Sequence, residues 1–478
     1  MKTQTSNHTQ NEIDLSRRNF MSKGAAVGAT AGLVGMGLAS ATNAIAAPTK
    51  APAISDISTA ISPLEVESNM ARWKLPQSID FVNGATERFG FRNWQSGNDD
   101  SVYYNLNIPS FFKSSVVAPP FAPSTLERQI DERIKHVSFT AHDGSKTPTL
   151  ERYLTGPKQV QAMMMAHKGK VVFETYPGMN PTDFHVWMSA SKTTAGLLVS
   201  MLAQDGKIDL SKPVSHYVTE LKGSAWDKVS VKDTMNMAPA LDNEETFESL
   251  SNPKSWMSTF FTAIFESPAG SHKWRELLKE VQPLPNEKPG ERFRYSTANT
   301  QVLVLVVESV TNMSWQHYWN QRVWSKIGAK NSFIVGLTPD GTPIGGGLNF
   351  TTAEDMLRYA MIYTPSYQAV SNEQIVDNEL LRLIQNMGSP EAYKISTELE
   401  YGKRWFGETP KLNTAQWDHA FADGAMFKHG NMGQGIYVDP KRDFCAIYFG
   451  LASNDESVTG IDHSPGYLRN AAKLMAGF

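Results

Sequence analysis

Residues 189–206 read SASKTTAGLLVSMLAQDG, and this stretch decides the fold. Its apolar residues recur at helical spacing as far as Asp205-Gly206, which predicts a helix that begins near Ser189. Because Ser189 and Lys192 are three positions apart, the helix would place the hydroxyl and the amine on one face. The first turn also offers free backbone N–H groups that stabilise an oxyanion. We therefore predict a nucleophilic serine with a lysine partner; the alternative is an N-cap serine beside a solvated lysine.

Three Ser-x-x-Lys motifs occur in the chain, so the spacing alone does not identify a site. Ser110 lies in a proline-rich stretch, and Pro253 disfavours a helix between Ser251 and Lys254. The chain has no Gly-x-Ser-x-Gly elbow, no Gly-x-x-x-x-Gly-Lys-Ser/Thr loop and no His-Glu-x-x-His helix. The 11 histidines lack the spacing of metal ligands, so we predict neither a metal site nor a cofactor.

Composition and the N-terminal sequence restrict the class of protein. The 478 residues carry 45 Lys+Arg against 48 Asp+Glu, which indicates no basic surface for nucleic acid. The single Cys445 excludes an internal disulfide framework and a thiolate-rich metal site. Residues 16–23 read SRRNFMSK and precede a Gly/Ala-rich stretch, which is typical of a twin-arginine export signal over residues 1–46. An uncleaved membrane anchor and a chance arginine pair are the alternatives.

The rest of the chain divides into an arm and a body. Residues 47–123, rich in Pro, Ser, Asn and aromatic side chains, predict an extended N-terminal arm, and residues 124–478 predict the body. Apolar runs around tight turns predict hairpins near residues 161–175 and 434–449. Helical patterns dominate between them, with a helical subdomain at about residues 185–345. We therefore expect an α/β (α+β) fold in which one antiparallel sheet is built from both chain ends and flanked by helices.

Several short segments, in this order along residues 124–478, resemble the serine β-lactamase, DD-peptidase and esterase superfamily. They are most similar to its class C-like branch, which includes the 6-aminohexanoate-dimer (nylon oligomer) hydrolases. The segments are HKGKVV at 167–172, the Ser189 helix, DGKIDL at 205–210, YSTANT at 295–300, GGL at 346–348, TAED at 352–355 and HGNMGQGIYVDP at 429–440. The resemblance implies a β-lactamase-like fold.

The resemblance also implies roles for individual residues. Ser189 would be the nucleophile, Lys192 its proton partner and Tyr295 a second general base or acid. The oxyanion hole would consist of the backbone N–H groups of Ser189 and Asn431, and Gly430 would lie on the strand that closes the site. A lysine in a partly buried site can be shifted toward neutrality, as this chemistry requires. The alternative for Tyr295 is a half-buried aromatic side chain at a loop-to-helix junction.

Departures from the family pattern bear on the substrate. Ser-Asp-Asn and Lys-Thr-Gly are absent, and residues 428–430 read KHG, which weakens a β-lactamase or penicillin-binding interpretation. Asn299 follows Tyr295 by four positions, a spacing that resembles the nylon-oligomer hydrolases. Acids and aromatic side chains between the nucleophile helix and Tyr295 would suit an amine-bearing or extended aliphatic acyl group; the alternative is a solvated face. The candidate substrate-binding residues are Asn299, His429, Gly430, Asp242 and Glu245; for His429 the alternative is a packing role.

The sequence therefore predicts an exported serine hydrolase that cleaves small amides or esters through an acyl-enzyme. The alternatives are a β-lactamase or DD-peptidase type of enzyme and a non-catalytic ligand-binding protein of the same fold. The expected partners are a small-molecule substrate and the twin-arginine export machinery, with no nucleic acid and no stable membrane insertion after cleavage. The expected location is periplasmic or secreted.

Overall fold

Two antiparallel sheets organise the part of the chain that the computed structural model describes, which is residues 70–156, 160–451 and 462–477. The predicted export signal lies outside the described residues. The strands are β1 Ser114–Val117, β2 Val160–His167, β3 Lys170–Thr175, β4 Phe184–Val186, β5 Phe333–Gly336, β6 Asn349–Thr352, β7 Leu412–Thr414, β8 Trp417–Ala420, β9 Met426–Gly430, β10 Gln434–Asp439 and β11 Phe444–Gly450. Among the described residues no helix is both long and apolar enough to cross a membrane.

Helices surround the sheets. Their bounds are α1 Ile79–Glu87, α2 Phe91–Trp94, α3 Asp99–Asn107, α4 Leu150–Thr155, α5 Lys192–Gln204, α6 Val214–Tyr217, α7 Val231–Met235, α8 Phe247–Ser251, α9 Trp256–Phe265, α10 Lys273–Glu280, α11 Thr297–Thr311, α12 Trp315–Arg322, α13 Ala353–Met361, α14 Asn378–Asn386, α15 Pro390–Lys394, α16 Thr397–Phe406 and α17 Ser464–Met475. The described chain between β4 and β5 contains helices and no strand of either sheet.

The larger sheet has seven strands in the order β3-β2-β11-β10-β9-β8-β7. Its first strands along the chain, β2 and β3, form one hairpin, and its last, β10 and β11, form another. The two hairpins meet because β2 pairs with β11, for example Met164 with Ile447. The predicted antiparallel sheet built from both chain ends is confirmed.

Both faces of this sheet are buried, which explains why its central strands β2 and β11 are largely apolar. Met164 and Ile447 face one hydrophobic core, which contains α5, α11 and α13. Met163 and Met165 face a second core, to which α4, α16 and α17 contribute. The free Cys445 lies in β11 and is buried in the first core. Successive side chains of each strand therefore reach different cores. Asp418 of β8, Lys428 of β9 and Asp439 of β10 are buried charged residues of the same sheet.

The arm is not extended, so that part of the prediction was wrong. Its described part folds into α1 to α3 before β1 pairs with β5 of the smaller sheet. Ser78 and Asn98 accept hydrogen bonds from backbone N–H groups in the first turns of α1 and α3, which fixes two helix starts. Trp73 and Trp94 are buried in the same core as α5. The prolines that suggested an extended chain are concentrated after these helices, near residues 119–123.

Candidate active site

Ser189 lies in a sharp turn between β4 and α5. The turn is a short 3-10 helix, Met188–Ser191, and Met188 has a left-handed φ of 47°, which is uncommon for a residue other than glycine. The preceding Trp187 is held by its backbone N–H to the Asn349 carbonyl oxygen at 2.8 Å. No side-chain cap is present at the start of either helix, so the N-cap alternative for Ser189 is wrong. The Ser189 amide precedes the hydrogen bonds of the helix and is left for another acceptor.

Lys192 is completely buried, so it is not the solvated lysine of the alternative interpretation. Its Nζ atom donates to Ser189 Oγ at 2.9 Å, to Thr297 Oγ1 at 2.9 Å and to the Gly346 carbonyl oxygen at 2.7 Å. Burial lowers its pKa to about 7; the charge of Lys428 acts in the same direction, against an opposing effect of two carboxylates. A neutral fraction of this amine is therefore present near neutral pH, and it lies beside the serine hydroxyl.

Tyr295 lies between the two lysine amines. Lys192 Nζ is 5.1 Å and Lys428 Nζ is 4.8 Å from the centre of its ring, and Lys428 Nζ donates to its hydroxyl at 3.2 Å. Burial raises the pKa of Tyr295 well above its ordinary value, and nearby carboxylates add to the increase, whereas a hydrogen bond with Ser189 opposes it. The resting phenol is therefore protonated, and the Lys428 amine lies beside its oxygen.

Lys428 and Asp418 were not predicted as site residues. Lys428 Nζ donates to both Asp418 carboxylate oxygens, at 2.8 and 2.7 Å, and both side chains are buried. The Asp418 carboxylate also accepts from the backbone N–H of His429 at 3.0 Å. A lysine two residues before Gly430 in an otherwise apolar strand was the available signal for Lys428. Asp418 lies on the neighbouring strand β8, and the sequence carried no signal for it.

Glu245 is brought to the site. Its carboxylate accepts a hydrogen bond from the Thr297 backbone N–H at the start of α11, and its own N–H donates to the Tyr295 carbonyl oxygen at 2.8 Å. A carboxylate at a helix N-terminus is stabilised by the helix dipole. Glu245 therefore connects the loop before α8 to the segment that carries Tyr295, within electrostatic range of Lys192.

Three of the other candidates make contacts with residues other than Ser189. Asp242 is exposed, and its backbone N–H donates to the Gln282 carbonyl oxygen. Asn299 is buried under the site, where its side-chain oxygen accepts from Asn243 at 2.9 Å. His429 stacks on Trp405 at 4.4 Å, and burial lowers its pKa to about 3, so it is neutral. In each case the contact joins two parts of the protein to each other.

Gly430 and Asn431 approach the serine turn from the end of β9. A Cβ atom at Gly430 would lie 2.5 Å from the Trp187 carbonyl oxygen and 3.0 Å from the Met188 side chain, so only glycine permits this approach. Asn431 follows at the tip of the β9–β10 hairpin, where its side-chain amide donates to Gln95 Oε1. The structure thus brings together Ser189, Lys192, Tyr295, Lys428, Gly430 and Asn431.

Comparisons with known proteins give a consistent result. Residues 158–463 match the sequence model of the Beta-lactamase family. The 6-aminohexanoate-dimer hydrolase of Paenarthrobacter ureafaciens is 26% identical over 314 residues, which are 63% of this chain and 74% of the relative. A beta-lactamase of Providencia stuartii is 29% identical over 150 residues, 30% of this chain and 33% of the relative.

A solved structure described as a putative 6-aminohexanoate-dimer hydrolase from Bacillus anthracis has the same fold. Its TM-score is 0.62 at 20% identity, and the alignment covers 80% of this chain and 98% of that one. The resemblance inferred from short motifs is therefore confirmed by the family match and by the fold.

Proposed function

Because this chain belongs to the beta-lactamase family of hydrolases, we propose that it cleaves small amides or esters through an acyl-enzyme on Ser189. One observation carries the proposal: the buried Lys192 amine contacts the Ser189 hydroxyl at 2.9 Å, and its pKa is lowered to about 7. A serine hydroxyl becomes an effective nucleophile when a neighbouring base accepts its proton. A lysine that is substantially neutral at physiological pH can serve as that base.

Acylation begins with the attack of Ser189 Oγ on the substrate carbonyl carbon. The serine proton passes to neutral Lys192, and the carbonyl oxygen becomes an oxyanion. The backbone N–H groups of Ser189 and Asn431 donate to this oxyanion, which requires no charged side chain. The glycine at position 430 supports this step because it lets the Asn431 turn approach the nucleophile.

The leaving group needs a proton as the carbon–nitrogen or carbon–oxygen bond breaks. Tyr295 donates its hydroxyl proton to the leaving amine or alcohol, and Lys428 at 3.2 Å stabilises the resulting phenolate. Proton transfer from the now charged Lys192 restores the phenol. In deacylation a water molecule attacks the acyl carbonyl carbon and gives its proton to the same groups. The bond between this carbon and Ser189 Oγ breaks, Ser189 Oγ takes up a proton, and the acid is released.

The substrate class is proposed from the relative and from the departures in the motif. The name of the Paenarthrobacter relative describes a hydrolase of a 6-aminohexanoate dimer, and that relative is aligned over 74% of its length. We therefore propose linear amides and simple esters as substrates before β-lactams, because Lys428-His429-Gly430 lacks the usual hydroxyl. A non-catalytic binding protein is disfavoured, since the nucleophile and both of its proton-transfer groups are present and in contact.

Fluorophosphonate labelling of the purified protein tests the nucleophile. We expect label on the native protein, none on Ser189→Ala, and full label on Ser251→Ala, a control that removes the serine of another Ser-x-x-Lys motif. Label that persists in Ser189→Ala contradicts the assignment. A panel of nitrophenyl esters, a 6-aminohexanoate linear dimer and nitrocefin then separates the substrate classes, and preferred turnover of nitrocefin would favour the β-lactamase alternative.

We also propose export through the twin-arginine pathway, on the basis of Arg17 and Arg18 ahead of a Gly/Ala-rich stretch. Fractionation of bacterial cells that express the full chain should place a shortened product outside the cytoplasm. The double change Arg17→Lys and Arg18→Lys should retain the full-length chain in the cytoplasm. Export of the double variant at the normal rate contradicts this route.

A further inference from the structure

The N-terminal segment reaches the active site through Gln95. This residue ends the short helix α2, and its Oε1 atom accepts a hydrogen bond from the side-chain amide of Asn431. Gln95 lies 336 positions before Asn431 and outside residues 158–463, which match the family. The contact therefore joins a segment outside the family match to the tip of the hairpin that carries the second oxyanion N–H.

The position of Gln95 is fixed by its surroundings. Trp94 is buried beside it, and the Trp94 indole N–H donates to Asn105 Oδ1 of α3 at 2.8 Å. Phe91, one turn earlier, stacks on Phe265 of α9 with ring centres 5.1 Å apart and an interplanar angle of 16°. Aromatic packing and a buried hydrogen bond thus hold α2 against the helical subdomain.

Asn431 is held from its other side by the body of the protein. Its carbonyl oxygen accepts from Gln434 Nε2 at 2.8 Å, and Gln434 Oε1 in turn accepts from the Gly450 N–H at 3.0 Å. Gln434 is completely buried, so its side chain has little freedom to move and holds the Asn431 carbonyl oxygen in place. Before Asn431 stands Gly430, whose backbone torsions are the least restricted of any residue. The carbonyl oxygen of the Gly430–Asn431 peptide accepts from the Gly433 N–H at 3.2 Å. This bond and the contacts of Asn431 therefore set the orientation of the peptide N–H together.

We propose that Gln95 is a positioning residue for the oxyanion hole, because its hydrogen bond to the Asn431 side chain adds to the hairpin's own bond from Gly433 in directing the Asn431 backbone N–H. The proposal rests on the proposed hydrolase function. Gln95 does not touch the reacting atoms; it restricts the torsions of the residue whose amide does. An N–H that is already oriented stabilises the transition state without reorganisation, so the effect falls on kcat.

Kinetics of three variants test this role with an ester substrate. Gln95→Met removes the acceptor at similar length, and we expect kcat to fall about three- to tenfold, as for one lost hydrogen bond, with KM unchanged. Gln95→Glu keeps an acceptor oxygen and should retain most of the activity. Gln77→Met makes the same substitution in the same segment, where the side chain donates to the Leu75 carbonyl oxygen, and should behave like the native protein.

A double-mutant cycle with Asn431→Ala completes the test. That variant keeps the backbone N–H and removes the side chain, so it should lose the same activity as Gln95→Met, and the double variant should lose no more. Additive losses, a native kcat in Gln95→Met, an effect on KM alone, or an equal defect in Gln95→Glu would each overturn the proposal. A native protein without label on Ser189 contradicts the hydrolase function itself, whereas labelled protein with an unimpaired Gln95→Met contradicts only the role of Gln95.

Discussion

Replacing Lys192 with methionine should abolish hydrolysis and change how the stability of the fold depends on pH. Burial holds the pKa of Lys192 at about 7, below its ordinary value of 10.5. Between these two values the unfolded chain binds a proton that the folded chain does not, so the free energy of unfolding rises with pH. Below pH 7 both states are protonated, and the buried ammonium opposes folding. Methionine removes this titration.

The size of the effect follows from the shift. One pKa unit corresponds to about 1.4 kcal/mol, and integrating the proton difference from pH 6 to pH 9 gives about 3 kcal/mol of stability gained by the native protein. The Lys192→Met variant does not gain this stability, because methionine does not titrate. Loss of the three hydrogen bonds of Lys192 displaces the curve of the variant but leaves its slope unchanged, so the slope is the quantity to compare.

Urea unfolding followed by tryptophan fluorescence at several pH values measures the difference. The stability of Lys192→Met relative to the native protein should fall by about 3 kcal/mol from pH 6 to pH 9. Lys207→Met, which replaces an exposed lysine just after α5, should show a constant difference over the same range. A constant difference for Lys192→Met as well would refute the lowered pKa and, with it, the argument that this amine acts as a base.

Four further predictions concern the same site. In the native protein, kcat/KM should rise with pH to about 7 and then level, since only neutral Lys192 accepts the serine proton; a pH–rate profile that falls above pH 6 contradicts this. Tyr295→Phe should lower kcat by about 100- to 10,000-fold in ester hydrolysis, and normal turnover would exclude the phenol as proton carrier. Lys428→Met leaves the Asp418 carboxylate buried without its cation, so urea unfolding should show a loss of about 3–5 kcal/mol, partly recovered by adding Asp418→Asn. Gly430→Ala should lower kcat because the new Cβ atom would lie 2.5 Å from a backbone oxygen of the nucleophile turn, and unchanged kinetics would contradict the close approach.

Features that depend on neighbouring residues could be predicted from the sequence. The hairpin of β2 and β3 was predictable because Lys168 and Gly169 form a tight turn between two apolar runs, and both have positive φ. The contact of Ser189 with Lys192 was predictable because a helical turn brings positions three apart together. The contribution of Glu245 was proposed from its position between the nucleophile and Tyr295, although the N–H group that it binds was not foreseen.

Contacts between distant segments could not be predicted in the same way. Asp418 meets Lys428 across two neighbouring strands, and the register of that pair is set by packing on both faces of the sheet. Gln95 meets Asn431 only after the N-terminal helices have packed on α9. The extended arm was predicted from composition, whereas single capping residues such as Ser78 determined its helices.

The pairing of β2 with β11 has a consequence for the order of events during synthesis. The ribosome makes β2 at residues 160–167, yet its central neighbour appears only at residues 444–450. Until then one edge of a largely apolar strand has no partner, which exposes the nascent chain to aggregation and favours protection by a chaperone. Truncated chains that end before β9 lack Lys428, which contacts the Tyr295 hydroxyl, so the proposed proton-transfer groups can meet only when most of the chain has been made.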